Sequence, residues 1–546
     1  MRADRDNSAT SEAIRPVGPS AGDYLRLSAQ RFPDRPCLVD GVGLEQTFAA
    51  TNSRVNRLAS ALRRRGFGKG DRLAIFANNS IAYAEVLFAS MKIGATYVPL
   101  NNRLRPGETA ALLRTARPRA VFTDTRYAEM LRPLATEYAD LLVTLDGAGE
   151  AYEEYEAVVA SGEDVEPDVA VLDEDILGLA FTSGTTGTPK GVLQSQRMIK
   201  NLTISITLNY EIQPDEFRYS SSPMFHIGGQ APVFMHAWRG FPTLVLPQFE
   251  VQTVLRWMQE GGLTGCFLVP TMISMLLADP KVADSDYPGL RSIIYGAAPM
   301  PPTVLRRAIE VFGCEFVNAF GAGTEAGVQA VLSSADHKRA AAGAEHLLGS
   351  IGRPAYGVDL RLVDENDKDV PRGDVGEIIT RNEQTMSGYL DMPEETEKAL
   401  RGGWFRAGDM AYMDEEGYLY LAGRRNDMII RGGENIYPIE IEDVICQSDQ
   451  IDQSAVVGAE DEHWGEIVVA FVTLSGAGEL DVDALVAHCR ARLASYKVPT
   501  RFIVRDSLPT NASGKLLRRE LRVLLSDRVV AGPDAETAGR RIDGTG

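Results

Sequence analysis

Residues 182–191 combine the residue types that bind phosphate, in the order Thr-Ser-Gly-Thr-Thr-Gly-Thr-Pro-Lys-Gly. Glycines let backbone N–H groups approach an anion closely, and successive N–H groups can form an anion-binding nest. The hydroxyl groups add hydrogen-bond donors, and Lys190 adds a compact positive charge. In the common P-loop a Gly-Lys pair precedes Ser or Thr and opens a helix, which is not the order here. The stretch therefore predicts a phosphate-binding loop of another kind, with a plain Gly/Thr-rich turn as the alternative.

Three further stretches carry side chains that suit nucleotide chemistry. Residues 317–327 read Val-Asn-Ala-Phe-Gly-Ala-Gly-Thr-Glu-Ala-Gly, and the carboxylate of Glu325 suits a Mg²⁺ ion that bridges nucleotide oxygens. Asp409 follows a glycine, where its carboxylate could accept hydrogen bonds from two ribose hydroxyls. Lys515 lies in a polar Ser-Gly turn, in which a lysine can swing. Taken singly, such an aspartate is usually a turn residue and such a lysine a solvated side chain.

The elements around these stretches indicate an α/β fold. The apolar run 176–181 predicts a buried strand before the loop, and we expect a helix to begin within 191–208 after it. Residues 71–100 predict a β-α-β unit with its helix at 80–93, and a similar unit follows near 120–124. A further helix is expected at 482–493. Alternating strands and helices predict a core built on a parallel sheet.

Composition and charge exclude several classes of protein. The 546 residues suffice for more than one domain, and the net charge of −19 argues against nonspecific binding to nucleic acid or anionic membranes. The five cysteines include no C-x-x-C pair, so we expect reduced thiols and neither a disulfide framework nor a zinc site. The first residues lack the apolar core of a signal peptide, and no apolar run approaches ~18 residues. We therefore expect a cytoplasmic protein without a membrane span.

The order of these motifs resembles that of the class I adenylate-forming enzymes, in the acyl-CoA ligase branch, over about residues 24–525. The resemblance implies a large N-terminal AMP-binding domain at 21–425, made of α/β layers with a small β-rich subdomain. It also implies a small, mobile α+β C-terminal domain at 426–527. Residues 1–20 are expected to form a disordered tail and residues 528–546 a loose tail.

The resemblance also implies roles for individual residues. Lys515 would bridge the substrate carboxylate and the α-phosphate, His226 would orient the carboxylate, and Glu325 would hold Mg²⁺, with Asn426 as the hinge between domains. The implied nucleotide-binding residues are Thr182, Ser183, Gly184, Thr185, Thr186, Gly187, Lys190, Gly296, Ala297, Ala298, Asn318, Phe320, Gly321, Thr324, Asp409 and Arg424. The implied CoA-binding residues are Gly432, Gly433, Glu434, Asn435 and Trp464.

The implied reaction joins a small-molecule carboxylic acid to CoA at the expense of ATP, with Mg²⁺, through an acyl-adenylate. The nearby segments contain Met224, Phe225, Phe267 and Tyr295, and Gly228 with Gly229 would leave room. These residues favour a bulky apolar or aromatic acid.

One departure from the family pattern keeps a second hypothesis open. Ala322 and Gly323 stand where the family has one residue, and an extra residue adds up to ~3.3 Å of chain. A shift of ~1 Å is enough to impair a reaction that depends on positioning. The chain could then perform only the thioester step on a preformed acyl-AMP, made by a separate adenylating enzyme, and Asn426 at the hinge agrees with this. Retention of Lys515 argues against a chain limited to the thioester step. It also argues against a third class, a binding protein that holds acyl-AMP without turnover.

Overall fold

The computed structural model describes residues 18–182, 189–260, 262–298, 300–476, 478–510 and 516–530, with side chains described as far as residue 525. In these parts of the chain the α-helices are α1 (Asp23–Arg31), α2 (Phe48–Arg64), α3 (Ile81–Lys92), α4 (Pro106–Ala116), α5 (Thr125–Ala135), α6 (Tyr155–Ala160), α7 (Gln196–Asn209), α8 (Ile227–Arg239), α9 (Val251–Gln259), α10 (Pro270–Leu277), α11 (Pro302–Phe312), α12 (Gly323–Ala326), α13 (Ser334–Ala341), α14 (Pro393–Ala399), α15 (Pro438–Ile445), α16 (Val482–Arg490) and α17 (Arg518–Val530). Short 3-10 helices lie at Val282–Asp284, Glu345–Gly349, Arg401–Gly403, Arg425–Asp427 and Ser495–Lys497.

The strands of the same described ranges are β1 (Pro36–Asp40), β2 (Glu45–Thr47), β3 (Arg72–Phe76), β4 (Thr96–Pro99), β5 (Ala120–Thr123), β6 (Leu141–Thr144), β7 (Glu153–Glu154), β8 (Ile176–Thr182), β9 (Lys190–Ser195), β10 (Arg218–Ser220), β11 (Thr243–Val245), β12 (Gly265–Leu268), β13 (Ser292–Gly296), β14 (Glu315–Phe320), β15 (Ala330–Leu332), β16 (Arg353–Pro354), β17 (Asp359–Val363), β18 (Gly376–Arg381), β19 (Gly388–Tyr389), β20 (Phe405–Met413), β21 (Leu419–Arg424), β22 (Ile429–Arg431), β23 (Glu434–Ile436), β24 (Ile451–Asp461), β25 (Gly465–Leu474) and β26 (Arg501–Val504).

The described strands form four sheets. Sheet A runs β16-β15-β14-β13-β12-β10-β11-β1-β2, and its pairs from β14 to β1 are parallel. Sheet B runs β19-β9-β8-β4-β3-β5-β6-β7 and is parallel from β8 to β7. Sheet C is antiparallel in the order β17-β18-β20-β21, and sheet D runs β23-β22-β25-β24 with β26 paired to β25. The mixed α/β fold with a smaller C-terminal α+β unit agrees with the predicted fold class.

Sheets A and B are stacked through helices, as their buried side chains show. One core cluster joins Leu38 of β1 and Ile75 of β3 to Val55 of α2 and Val233 of α8, so helices fill the space between the two sheets. A second cluster packs α9, α10 and α11 on the outer side of sheet A, and another packs α4 and α5 on the outer side of sheet B. The large unit is therefore layered helix, sheet, helix, sheet, helix, and all layers are joined by burial of apolar surface.

The predicted β-α-β unit at 71–100 is confirmed as β3, α3 and β4. Ser80 starts the helix, because its side chain accepts a hydrogen bond from the Tyr83 N–H, which satisfies one of the unpaired donors of the first turn. The helix expected at 482–493 is also present, as α16.

A helix begins within 191–208 as expected, but the residues directly after Lys190 form a strand first. Residues Lys190–Ser195 form β9, which pairs antiparallel with β8, and helix α7 begins only at Gln196. The pairing of β9 with both β8 and β19 outweighs the local preference, as tertiary contacts often do for short segments. Ser195 then caps α7 by accepting from the Met198 N–H.

Candidate active site

The predicted site residues His226, Gly296 and Phe320 lie at or shortly after the ends of three strands of sheet A. Strands β10, β13 and β14 end at Ser220, Gly296 and Phe320, and they run in the same direction because β10, β12, β13 and β14 pair in parallel. The loops that follow therefore emerge at one edge of the sheet. Crevices outside the carboxyl ends of parallel strands are where open α/β folds bind ligands.

The phosphate-binding motif sits on the β8–β9 pair of sheet B. Thr182 and Lys190 are register partners at the ends of the two strands, so the pairing holds both ends of the motif together. The predicted residues Ser183, Gly184, Thr185, Thr186 and Gly187 lie outside the described residues. Lys190 is largely buried, with 18% of its side chain exposed.

At the ends of β13 and β14 the two backbones approach closely. Gly296 pairs with Ala319, and a Cβ atom at Gly296 would overlap the carbonyl oxygen of Ala319, so only glycine fits there. Ala297 follows with φ +69, a left-handed conformation that costs an alanine roughly 1–2 kcal/mol. Such strain is often found at ligand sites.

Asn318 offers an acceptor that no described residue uses. The residue is 9% exposed, and its side-chain Oδ1 has no hydrogen-bond partner among the described residues. A buried oxygen without a donor is costly, so the site fits a ligand N–H such as an exocyclic amino group. Phe320, at the end of the same strand, is half-buried.

The extra residue of the 317–327 motif is accommodated in a short, regular turn. The N–H groups of Glu325 and Ala326 both donate to the carbonyl oxygen of Ala322, at 2.9 and 2.7 Å. This turn is α12, whose first residue Gly323 faces α8: a Cβ atom on it would lie 2.8 Å from Cγ2 of Ile227. Thr324 is buried and Glu325 half-buried in it.

Three successive carbonyl groups of this turn are held by two other segments, strand β9 and the loop 382–386. The carbonyl oxygen of Thr324 accepts from Nε2 of Gln194 at 3.1 Å, and that of Glu325 from the Met386 N–H at 2.7 Å. The carbonyl oxygen of Ala326 accepts from Nδ2 of Asn382 at 3.3 Å. The turn is therefore fixed from outside, and the extra residue does not leave it without support.

His226 is the N-cap residue of α8. Its Nδ1 accepts a hydrogen bond from the Gly228 N–H at 3.1 Å, so in the neutral ring the proton is on Nε2. The ring is half-buried. A donor of this kind can hold a carboxylate oxygen.

The structure contradicts part of the expected acid pocket. A Cβ atom at Gly229 would overlap the carbonyl oxygen of Pro223, so this glycine serves close backbone packing and does not leave room. A Cβ at Gly228 would likewise lie 2.8 Å from Oγ of Ser222. Tyr295 points into the core, where its hydroxyl lies 2.9 Å from Nε2 of His337, and Met224 is also buried. Phe225 and Phe267 remain half-buried.

Asp409 and Arg424 face each other on sheet C. They are register partners on β20 and β21, and Nε of Arg424 lies 3.1 Å from Oδ1 of Asp409. The Asp409 side chain is 14% exposed. Asn426 lies two residues after the end of β21, in the exposed 3-10 helix Arg425–Asp427 that leads into sheet D.

The C-terminal unit brings two of the predicted CoA-binding segments together. The Gly432 N–H donates to the carbonyl oxygen of Trp464 at 2.7 Å, and a Cβ at Gly432 would lie 2.9 Å from the indole ring. The indole is 46% exposed, with the Arg431 guanidinium 5.5 Å from its centroid. Gly433 follows Gly432, and Glu434 with Asn435 begins β23, all on the exposed side of the turn.

No group of three or more His, Cys, Asp or Glu side chains that could hold a metal occurs within the described ranges. Glu325 is the carboxylate that the 317–327 motif contributes. A single carboxylate fits Mg²⁺, which usually keeps several waters and takes further oxygens from substrate phosphates. Lys515 lies outside the described residues. None of the described helices has the length and apolar character needed to cross a membrane.

Sequence reasoning missed the residues that support the motifs. Gln194 has no signal beyond being polar in an apolar strand, and its partner Thr324 is 130 positions away. Glu395 lies 2.7 Å from Nζ of Lys190 although 205 positions separate them. Burial raises the pKa of Tyr389, and the nearby carboxylates of Glu325 and Glu395 raise it further. Nζ of Lys190 lies 4.8 Å from the centroid of the Tyr389 ring, so Tyr389 joins these charged groups in one neighbourhood.

The layers of the large unit, the smaller C-terminal unit and a site at the strand ends together define the architecture of adenylate-forming enzymes. Matches to known proteins agree with this architecture. The AMP-binding enzyme family matches residues 25–390, and the AMP-binding enzyme C-terminal domain matches residues 440–515. The chain belongs to the AMP-binding enzyme family, in its acyl-CoA ligase branch, and so to the ligases that form carbon–sulfur bonds.

Individual relatives are similar over nearly their whole length. An indoleacetate–CoA ligase from Aromatoleum aromaticum is 34% identical over 503 residues, covering 91% of this chain and 95% of the relative. A feruloyl-CoA synthase from Amycolatopsis sp is 34% identical over 481 residues, covering 88% of this chain and 94% of the relative. The crystal structure of ATP-bound MatB from Rhodopseudomonas palustris superposes with a TM-score of 0.85 at 26% identity, covering 93% of this chain and 100% of that one.

Proposed function

We propose that the protein is an acyl- or aryl-CoA ligase that converts a carboxylic acid, ATP and CoA into an acyl-CoA, AMP and pyrophosphate through an acyl-adenylate. The observation that carries the proposal is the hydrogen bond from Gln194 to the carbonyl group of Thr324. It ties the strand that begins at Lys190 to the turn that presents Glu325. A cation for phosphate and a carboxylate for a metal ion are the charges that a triphosphate substrate requires.

In the first step, the carboxylate of the acid attacks the α-phosphorus of ATP, a phosphorus–oxygen bond forms, and pyrophosphate leaves. Nε2–H of His226 would orient the carboxylate, while Lys190 and the residues that follow Thr182 would bind phosphate oxygens. Lys515 would bridge the carboxylate and the α-phosphate. Glu325 would hold Mg²⁺, which supplies positive charge against the phosphate oxygens when bound.

The nucleoside would lie between the end of β14 and Asp409 in the middle of β20. Oδ1 of Asn318 is the acceptor for the adenine amino group, since it is buried without a partner among the described residues. The half-buried ring of Phe320 would stack on the base, beside Gly296. Asp409, paired with Arg424, would accept the ribose hydroxyls.

In the second step, the CoA thiolate attacks the acyl carbon of the adenylate. A carbon–sulfur bond forms, the carbon–oxygen bond to phosphate breaks, and AMP leaves with the electron pair. The turn at Gly432 would line the path of the pantetheine arm, and the exposed indole of Trp464 would contact the CoA nucleotide. Rotation at Asn426 would exchange Lys515 for this turn between the two steps.

The acid is proposed to be aromatic. The two relatives above are named for indoleacetate and ferulate, which are both aromatic acids. Phe225 and Phe267 are half-buried near the ends of β10 and β12, where an aromatic ring could pack on them.

The alternative of a chain limited to the thioester step depends on the extra residue distorting the site. The turn at 322–326 is regular and is held by two other segments, strand β9 and the loop 382–386, which argues against such a distortion. The names of the relatives give it no support.

The test is formation of CoA thioesters, detected by mass spectrometry, from a panel of aryl acids and straight-chain fatty acids with ATP, Mg²⁺ and CoA. We expect thioesters of aryl acids, loss of product in Lys190→Ala, and normal product in Lys200→Ala, which removes a surface lysine paired with Asp173. Product from no acid would contradict the proposed reaction. Preference for fatty acids would contradict the proposed acid.

A further inference from the structure

The ammonium group of Lys190 already has a carboxylate partner. Its Nζ donates to Oε2 of Glu395 at 2.7 Å and lies 4.8 Å from the ring centroid of Tyr389. The Lys190 side chain is 18% exposed and that of Glu395 37% exposed. Lys190 therefore makes its contacts inside the site before any phosphate is bound.

The backbone fixes the position of Glu395. Strand β19 pairs with β9, with Tyr389 opposite Val192, and the Leu390 N–H donates to the carbonyl oxygen of Gly191 at 2.7 Å. Helix α14 is tied back to this strand, because the Tyr389 N–H donates to Oγ1 of Thr396 at 2.9 Å. The carboxylate is thus presented to Lys190 by α14, which β19 anchors to the β8–β9 hairpin that carries the phosphate-binding motif.

Glu395 has a second cation, Lys398, with 3.1 Å between Nζ of Lys398 and Oε1. The two lysines hold the pKa of the Glu395 carboxyl below its usual range, so the group is charged at neutral pH. A phosphate oxygen that approaches Lys190 would lie close to this carboxylate and would be repelled by it. If Lys190 turns to the phosphate, Lys398 remains as a partner, so Glu395 is not left unpaired.

We propose that Glu395 is a competing counter-ion for Lys190, which releases the lysine to the triphosphate of ATP and thereby sets the affinity for this nucleotide. This inference rests on the proposed role of Lys190 at the phosphates. Lys398 assists this release, because it stays paired with Glu395 after Lys190 has turned to the phosphate. Lys190 changes its partner before the acid reacts. The change therefore affects the binding of ATP and leaves the kcat of the bound complex unchanged.

The test measures ATP and AMP binding by calorimetry, and the KM for ATP and kcat of acid-dependent pyrophosphate exchange, in four proteins. Glu395→Gln should tighten ATP binding and lower the KM about three- to tenfold, as loss of a partly exposed ion pair suggests. The affinity for AMP should change less, because AMP carries less negative charge than ATP. Lys398→Gln should have the opposite effect on the KM, since Glu395 then has only Lys190. Glu397→Gln removes the same charge from an exposed position of α14 and should match the wild type.

Unchanged or weaker ATP binding in Glu395→Gln would overturn the proposal, as would a fall in kcat without a change in KM. A Lys398→Gln variant that behaves like the wild type would overturn the role of Lys398 and, with it, the proposed change of partner by Lys190. If the wild-type protein bound no ATP and formed no thioester, the proposed function itself would fail. If the wild type is active and the variants do not differ from it, only the counter-ion inference fails.

Discussion

Replacing Gln194 with methionine should impair the adenylation step far more than the thioester step. Gln194 is 1% exposed, and its Nε2 is the donor that holds the carbonyl group of Thr324. Methionine has a similar length but no donor, so the carbonyl group would stay buried without a partner. Such a group costs about 1–3 kcal/mol.

The turn can reduce this cost by moving, and Glu325 then moves with it. A displacement of ~1 Å can lower a rate about 10²-fold when the reaction depends on positioning. We therefore expect acid-dependent pyrophosphate exchange to fall roughly 10- to 100-fold. Thioester formation from a synthetic aryl-adenylate and CoA does not need Glu325, so we expect it to change less than about threefold.

Gln196 provides a matched control. It is also 1% exposed, and its Nε2 donates to the carbonyl oxygen of Val171 at 2.9 Å, away from the turn. Gln196→Met should lose a similar free energy of unfolding, about 1–3 kcal/mol, and keep both half-reactions. The reasoning is refuted if Gln194→Met and Gln196→Met lose the same amount of pyrophosphate exchange, because the loss then reflects only stability.

The remaining predictions concern three other sites. Asp409→Asn should weaken AMP binding about 10- to 100-fold in calorimetry, because a charged acceptor for the ribose is lost; an affinity equal to the wild type would exclude this role. Trp464→Ala should raise the KM for CoA several-fold and leave pyrophosphate exchange unchanged; a CoA KM equal to that of the wild type would remove the indole from the CoA site. Burial lowers the pKa of His236 to about 4, so the unfolded chain binds a proton there first and stability should fall as pH drops from about 6.5 to 4. In denaturant unfolding, the free energy of unfolding of His236→Gln should fall by about 3 kcal/mol less over this pH range than that of the wild type. Parallel pH profiles of the two proteins would contradict the prediction.

The local patterns of the sequence were enough to predict the fold class and several elements. The alternation of apolar runs around 71–100 predicts β3, α3 and β4, because each run has the period and length of its element. The helix expected within 191–208 is present as α7, but the strand β9 directly after Lys190 was not predicted. Its conformation depends on two partner strands, β8 and β19, and the second comes from almost 200 residues later in the chain.

The supporting contacts of the site could not be predicted, since they join residues that are distant in sequence. Nothing local to Gln194 indicates that it holds Thr324, and nothing near Glu395 indicates Lys190. The packing role of Gly229 was missed for a similar reason, because the atom that excludes a side chain there belongs to the backbone of Pro223. Motifs predict residue types at a site, while the contacts that fix them follow from the tertiary structure.

The central claim, a ligase that performs both half-reactions, is tested most directly by omitting CoA. The wild-type protein is mixed with an aryl acid that it accepts, ATP and Mg²⁺, quenched, and analysed by mass spectrometry for the aryl-adenylate; CoA is then added to a second sample. We predict adenylate in the first sample and its conversion to aryl-CoA and AMP in the second. Thioester formation from synthetic adenylate, with no adenylate formed from ATP and any acid of the panel, would contradict the claim.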